Sequence, residues 1–182
     1  MINSFNEDLK EASNYHGHLC SGQVLGVRMA RLGLELLGIS NPKAYRDLIV
    51  FIETDRCLAD AIGTVTGCKI GKRTLKVKPF GKMAATFYDI KKEKAFRIYK
   101  KFNEYAKEGQ DLVEFFNGFS DKELFTIEEV RVKIKQEDLP GPPCRVEKCS
   151  ICHEEILDGN EIIKDNRIIC KSCNGEQYYE KK

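Results

Sequence analysis

The chain has 182 residues, with 30 Lys and Arg against 28 Asp and Glu, and 42% of its residues are hydrophobic. That length suits one domain of common size plus a small appendage, and the balance is that of a folded chain rather than a disordered one. The longest aliphatic and aromatic run, Leu48 to Ile52, is far below the roughly 18 apolar residues of a membrane span. The first residues carry neither the basic start nor the apolar stretch of a secretory signal, so no membrane association and a cytoplasmic location are expected.

Phe5 to Tyr15 reads as a short polar helix, and Cys20 to Leu37 as a longer, deeply buried one stopped by Gly38. Leu48 to Thr54 is uniformly apolar, the pattern of a central strand covered on both faces. Thr54 or Asp55 then caps a helix running to about Thr66, with Gly67 as its stop. Leu75, Val77 and Pro79 alternate with Lys76 and Lys78, and Ala84 to Ile90 follows the Gly81 turn, which predicts a hairpin. Ala95, Ile98, Tyr99, Phe102 and Tyr105-Ala106 have helical spacing, predicting a helix from about Lys91 to Lys107. Ser120-Asp121-Lys122-Glu123 is a capping box for another short helix. Val130, Val132 and Ile134 alternate with Arg131, Lys133 and Lys135, marking a strand with a wet, basic face. The mixed order predicts an α+β fold with a mixed β-sheet flanked by helices.

Leu139-Pro140-Gly141-Pro142-Pro143 removes backbone donors and fixes φ, so neither a helix nor a central strand crosses it. The expected division is an α+β core over 1–139, a Pro-rich linker over 140–146 and a small domain over 147–182. That small domain carries Cys149-x2-Cys152 and Cys170-x2-Cys173, two knuckles that can offer four thiolates to one tetrahedral ion. Four soft sulfurs favour structural zinc in a treble-clef or ribbon-like zinc finger; a redox disulfide pair and an iron centre of rubredoxin type are the alternatives. So few residues bury little core, and a metal can contribute about 10–16 kcal/mol of apparent folding free energy. His153 is a spare group beside a ligand, and Cys144 is expected to be free. From 144 onward there are 7 basic and 8 acidic residues, and zinc with four thiolates adds net negative charge, so a nucleic-acid partner is not expected. A structural or protein-contact role fits this segment better.

Two of the three histidines fall in Tyr15-His16-Gly17-His18-Leu19-Cys20. If this segment is extended, residues 16, 18 and 20 project to one side at the start of a helix, whose free amides and positive dipole end favour the Cys20 thiolate. Cys57 lies in the first turn of the next helix with Asp60 one turn on, and Cys68 lies just past its end. Ligation and simple burial are both open for these two cysteines, since free cysteine is among the most buried residue types. His16 can equally be a solvated loop residue. Lys69, Lys72, Arg73, Lys76, Lys78 and Lys82 form a run with no acidic residue. A solvated strand face is its default reading, and attraction of an anionic substrate or phosphorylated cofactor is the sharper one.

His16-Gly17-His18-Leu19-Cys20 with Gly22 and Gly26, Cys57-x2-Asp60-Ala61-Ile62, Thr66-Gly67-Cys68 with Gly71-Lys72, and Gly81-Lys82-Met83-Ala84 together resemble the FmdE family of formylmethanofuran dehydrogenase proteins. The likeness spans about residues 14–88, with Ser21 where proline often follows the cysteine and Lys69 where threonine often follows the Gly-Cys pair. The resemblance implies a homodimer, a cleft holding His16, His18 and Cys20, and a zinc finger as an optional appendage; Cys57 and Cys68 are candidates to face that cleft. The cleft is a candidate site for a second divalent transition metal.

The function so implied is that of a metal-binding accessory or subunit-like protein of anaerobic one-carbon metabolism, alongside molybdenum or tungsten formylmethanofuran dehydrogenase subunits. Two other readings stand beside it. One is a separate thiol- or metal-dependent enzyme with Cys20 as nucleophile and His18 as base. The other is a zinc-finger interaction module on an inert core.

Overall fold

The computed structural model describes residues 3–101 and 103–180. Helix α1 (Phe5–His16) starts at a capping box: the Glu7 amide donates to Ser4 Oγ at 3.3 Å and the Ser4 amide donates to Glu7 Oε2 at 2.7 Å. It ends at Gly17, whose φ of 96° is in the left-handed region that a side chain would resist. Helix α2 (Ser21–Leu37) follows at once, with Val24, Val27, Ala30 and Leu34 fully buried. Strand β1 (Leu48–Ile52) leads into α3 (Cys57–Thr66) and then β2 (Leu75–Val77). Next come β3 (Ala84–Asp89), β4 (Lys94–Lys100), the short helices α4 (Leu112–Asn117) and α5 (Asp121–Leu124), and β5 (Phe125–Val130).

The five strands form one mixed sheet in the order β2-β1-β3-β4-β5, with β1 and β2 parallel and the remaining pairs antiparallel. Val50, Phe87 and Phe96 share one row across the sheet, and Ile52, Ala85, Ile98 and Ile127 the next, so period-two alternation delivers these residues to a common core. Helix α2 lies so close to that core that a Cβ on Gly33 would come within 2.5 Å of the Phe87 ring. The fold is therefore α+β, a mixed sheet flanked by helices.

Four sequence expectations change. The hairpin predicted from 75 to 90 does not form: β2 pairs parallel with β1, and β3 pairs with the other edge of β1. A parallel pair needs a crossover, and α3 supplies it. The helix predicted over 91–107 is replaced through residue 100 by β4, because Asp89 to Lys94 turns the chain back onto β3 and the alternation of Phe96 and Ile98 with Arg97 and Tyr99 serves the sheet. Glu93 takes a φ of 52° in this turn, and Phe102 lies outside the described residues. Helix α3 starts one or two residues later than an Asp55 or Thr54 cap implies, since Thr54 Oγ1 accepts from the Arg56 amide and Arg56 occupies the cap. The last strand of the sheet ends at Val130, where the predicted one begins, because its pairing with β4 starts at Phe125.

The chain divides into two compact units, 1–132 and 133–182. The second begins ahead of the Pro-rich segment and holds two antiparallel hairpins, β6 (Val146–Lys148) with β7 (Glu155–Leu157) and β8 (Ile162–Lys164) with β9 (Arg167–Ile169). Asp165 and Asn166, both with positive φ, make the tight turn of the second hairpin. Cys149, Ile156 and Ile169 are its buried centre. No helix among the described residues is long and apolar enough to cross a membrane.

Candidate metal centres

In the second unit, Cys149 and Cys152 lie on the turn between β6 and β7, and Cys170 and Cys173 follow β9, so the two hairpins bring both knuckles to one point. The four sulfurs lie within 4.8 Å of one another, with Cys152 and Cys170 at 3.9 Å. Tetrahedral thiolates about 2.3 Å from an ion stand about 3.8 Å apart, so the spacing fits. Backbone amides turn inward as well: the Cys170 amide donates to Cys149 Sγ at 3.4 Å and the Cys173 amide to Cys170 Sγ at 3.3 Å. Amide donors, that of Cys152 foremost, pull the Cys149 thiol down to about 6, while the neighbouring sulfurs, Cys170 first, push Cys173 up to about 12. The unit fits a small zinc-binding domain. Cys144 is exposed and stands apart from the cluster.

In the first unit, the ends of three helices meet. His16 is the last residue of α1, Cys20 the N-cap of α2 and Cys57 the first residue of α3, and a ring nitrogen of His16 and the two sulfurs lie within 4.8 Å of one another. Neither α2 nor α3 has a side chain capping its N-terminus, so both positive dipole ends face this cluster. Glycine makes the approach feasible: a Cβ on Gly22 would sit 2.9 Å from Cys57 Cβ, and one on Gly26 would sit 2.6 Å from Ala61 Cβ. Gln23, fully buried, donates from Nε2 to the Cys57 carbonyl at 2.7 Å and ties the first turn of α3 to that of α2. Burial, and then the adjacent Cys20, raise the Cys57 thiol above its ordinary value.

Asp60 supplies what the sequence reading left unassigned. Its Oδ2 lies 2.8 Å from His16 Nδ1, while His16 Nε2 is buried with no hydrogen-bond partner among the described residues. A proton on Nδ1 held by the carboxylate leaves the lone pair on Nε2, the arrangement that orients a ligating imidazole. The signal was legible as helical spacing, since Asp60 lies three residues after Cys57 on the same side of α3.

The five residues expected in the cleft therefore separate. His16, Cys20 and Cys57 converge. His18 does not join them: α1 runs through His16 and turns at Gly17, so the extended alternation of 16, 18 and 20 is absent and the exposed His18 ring packs against that of His16, with centroids 4.7 Å apart. Among the described residues no hydrogen bond joins His18 to Cys20. Cys68 is buried, with its sulfur 3.8 Å from the Leu48 carbonyl, and its thiol is raised chiefly by burial.

The sequence model of the FmdE family, described as "Molybdenum formylmethanofuran dehydrogenase operon", matches residues 15–139. The chain belongs to the FmdE family. Among solved structures, a tungsten formylmethanofuran dehydrogenase FmdE-like protein from Syntrophus aciditrophicus matches with a TM-score of 0.62 at 21% identity, over 98% of this chain and 96% of that one, which supports the fold. A probable S-adenosyl-L-methionine-binding protein from Archaeoglobus fulgidus is 32% identical over 113 residues, 60% of this chain. The match spans only 31% of that relative's length. All of the first-unit cluster lies inside the FmdE match, and the four-cysteine cluster lies beyond it.

Proposed function

We propose that this FmdE protein carries two metal ions: a structural zinc held by Cys149, Cys152, Cys170 and Cys173, and a divalent transition ion held by His16 Nε2, Cys20 and Cys57. The observation that carries the second site is the buried, unpartnered Nε2 of His16, backed through Nδ1 by Asp60 and adjacent to two thiols. One imidazole and two thiolates suit zinc-like ions, and three protein ligands leave a fourth position for an exogenous group. When bound, the ion supplies Lewis-acid chemistry at that position; the chain orients the imidazole and sets the two thiolates with its helix ends. The family match supports a role as an accessory or subunit-like partner of molybdenum or tungsten formylmethanofuran dehydrogenase, and a cytoplasmic homodimer is part of the same proposal.

Metal content of the purified full chain tests the pair of sites. Two ions per chain are expected, falling to one in Cys57→Ser and to one in Cys170→Ser. Retention of both ions in Cys57→Ser would overturn the first-unit site.

A further inference from the structure

A cavity with a volume of about 620 Å³ lies along α3, on the side marked by Asp60, Gly63, Thr64 and Gly67. That is the size of a pocket for a small organic molecule, roughly 300–1,000 Å³. Three features of its lining have no structural cause. Gly63 lies inside α3, where glycine costs about 1 kcal/mol relative to alanine, yet a Cβ there would make only ordinary contacts, 3.4 Å to the Cys68 carbonyl and 3.5 Å to Leu75 Cδ2. Packing does not require the glycine; its absent side chain keeps the cavity open. Tyr15 and Ile70 line the same cavity and leave 72% and 66% of their surface to solvent, apolar area that a ligand body would cover. Lys69 and Lys72 also line it, and neither has an ion-pair partner among the described residues, whereas Lys43 there is neutralised by Glu11 at 2.7 Å.

The loop that presents these lysines is built. The Lys69 amide donates to Thr74 Oγ1 at 3.0 Å, and the Thr74 and Leu75 amides both return to the Lys69 carbonyl at 3.2 Å. Of the two acidic residues that line the cavity, Glu11 pairs with Lys43 and Asp60 lies 2.8 Å from His16 Nδ1. The basic run that begins at Lys69 is thus more than a solvated strand face, because its first two members line a cavity that also has apolar walls at Ala59, Ile70 and Leu75.

We infer that this cavity binds a small organic anion, with an apolar or aromatic body against Gly63 and Ile70 and a carboxylate or phosphate at Lys69 and Lys72. The inference goes beyond the metal reading and does not depend on it. The two sites share only Asp60, one turn along α3 from Cys57.

The test uses the full chain with 8-anilinonaphthalene-1-sulfonate, an aromatic anion, and N-phenyl-1-naphthylamine, its uncharged counterpart; the chain has no tryptophan to interfere with their fluorescence. Saturable binding of the anionic probe is expected, weakened about tenfold in the Lys69→Ala, Lys72→Ala double variant, with the neutral probe unaffected by those changes. Gly63→Leu should exclude both probes. Amide chemical-shift mapping of the unaltered chain keeps the claim testable if that variant misfolds, and shifts should concentrate at 63–72. Competition by phenyl phosphate or by benzoate identifies the anionic group. Binding unchanged by the lysine replacements, shifts spread over the whole chain, or no competition by either anion would overturn the inference. Cys20→Ser should keep probe binding intact, which separates failure of this site from failure of the metal site.

Discussion

Replacing Gly26 with alanine tests whether the α2–α3 contact sets the first-unit cluster. The new Cβ would lie 2.6 Å from Ala61 Cβ, 3.1 Å from the Leu58 carbonyl oxygen and 3.2 Å from Leu58 Cα. Non-bonded carbons rest about 3.5–4.0 Å apart, so the helices must separate by about 1 Å, and two of the three neighbours are backbone that cannot swing aside. Overpacking of this kind costs about 1–3 kcal/mol, and the helix-propensity gain of alanine returns about 1 kcal/mol. The net expectation is a loss of up to about 2 kcal/mol, read as a lower thermal transition of the first unit. Gly63→Ala is the matched control, because its Cβ meets only ordinary contacts and the propensity gain should appear as a small stabilisation. A 1 Å separation is also large against the roughly 0.2 Å tolerance of metal–ligand distances, so cobalt(II) binding at the first unit should weaken at least about tenfold while the four-cysteine site is unchanged. If Gly26→Ala stabilises the protein as much as Gly63→Ala and binds cobalt normally, the reasoning fails.

Asp60→Asn should weaken the ion at His16 by about 10–100-fold with little change in fold, checked by competition with a chromophoric chelator, because it removes the charge behind the imidazole. Tyr45 donates to the buried Asp89 at 2.8 Å, and burial first, then that carboxylate, push its phenol up to about 12. Its neutral form is favoured by folding, so its contribution is full below about pH 10 and lost as pH rises toward 12; Tyr45→Phe should remove that alkaline limb from a stability–pH profile. Iodoacetamide should modify exposed Cys144 readily and Cys68 slowly at neutral pH, with Cys68 labelling rising only above the ordinary thiol range, as peptide mapping would show.

Local signals were the legible ones. Ser120-x-x-Glu123 acts at short range and appears where its spacing places it, as does the left-handed turn at Gly38. The failures are those of tertiary choice. Ala95, Ile98 and Tyr99 fit helical spacing as well as Phe96 and Ile98 fit alternation, and only the partner strand β3 decides between them. The parallel pairing of β2 depends on α3 crossing over, which the residues of β2 do not encode. Both CxxC pairs announce their cluster by spacing alone, because the ligands of each knuckle are neighbours in sequence. At the first-unit cluster, 37 residues separate Cys20 from Cys57, and the contacts that join them are glycines and a buried glutamine whose role appears only in three dimensions. The position of His18 beside the three-residue cluster rather than in it follows from one extra helical residue, His16, before the Gly17 turn.

The central claim, that His16, Cys20 and Cys57 hold a metal ion, is tested most directly by anomalous diffraction at the zinc edge from crystals of the zinc-loaded full chain. The account predicts two anomalous peaks per chain, one among Cys149, Cys152, Cys170 and Cys173 and one bonded to His16 Nε2 and the sulfurs of Cys20 and Cys57. A single peak at the four-cysteine cluster, with His16 Nε2 bonded to water or protein instead, would contradict it.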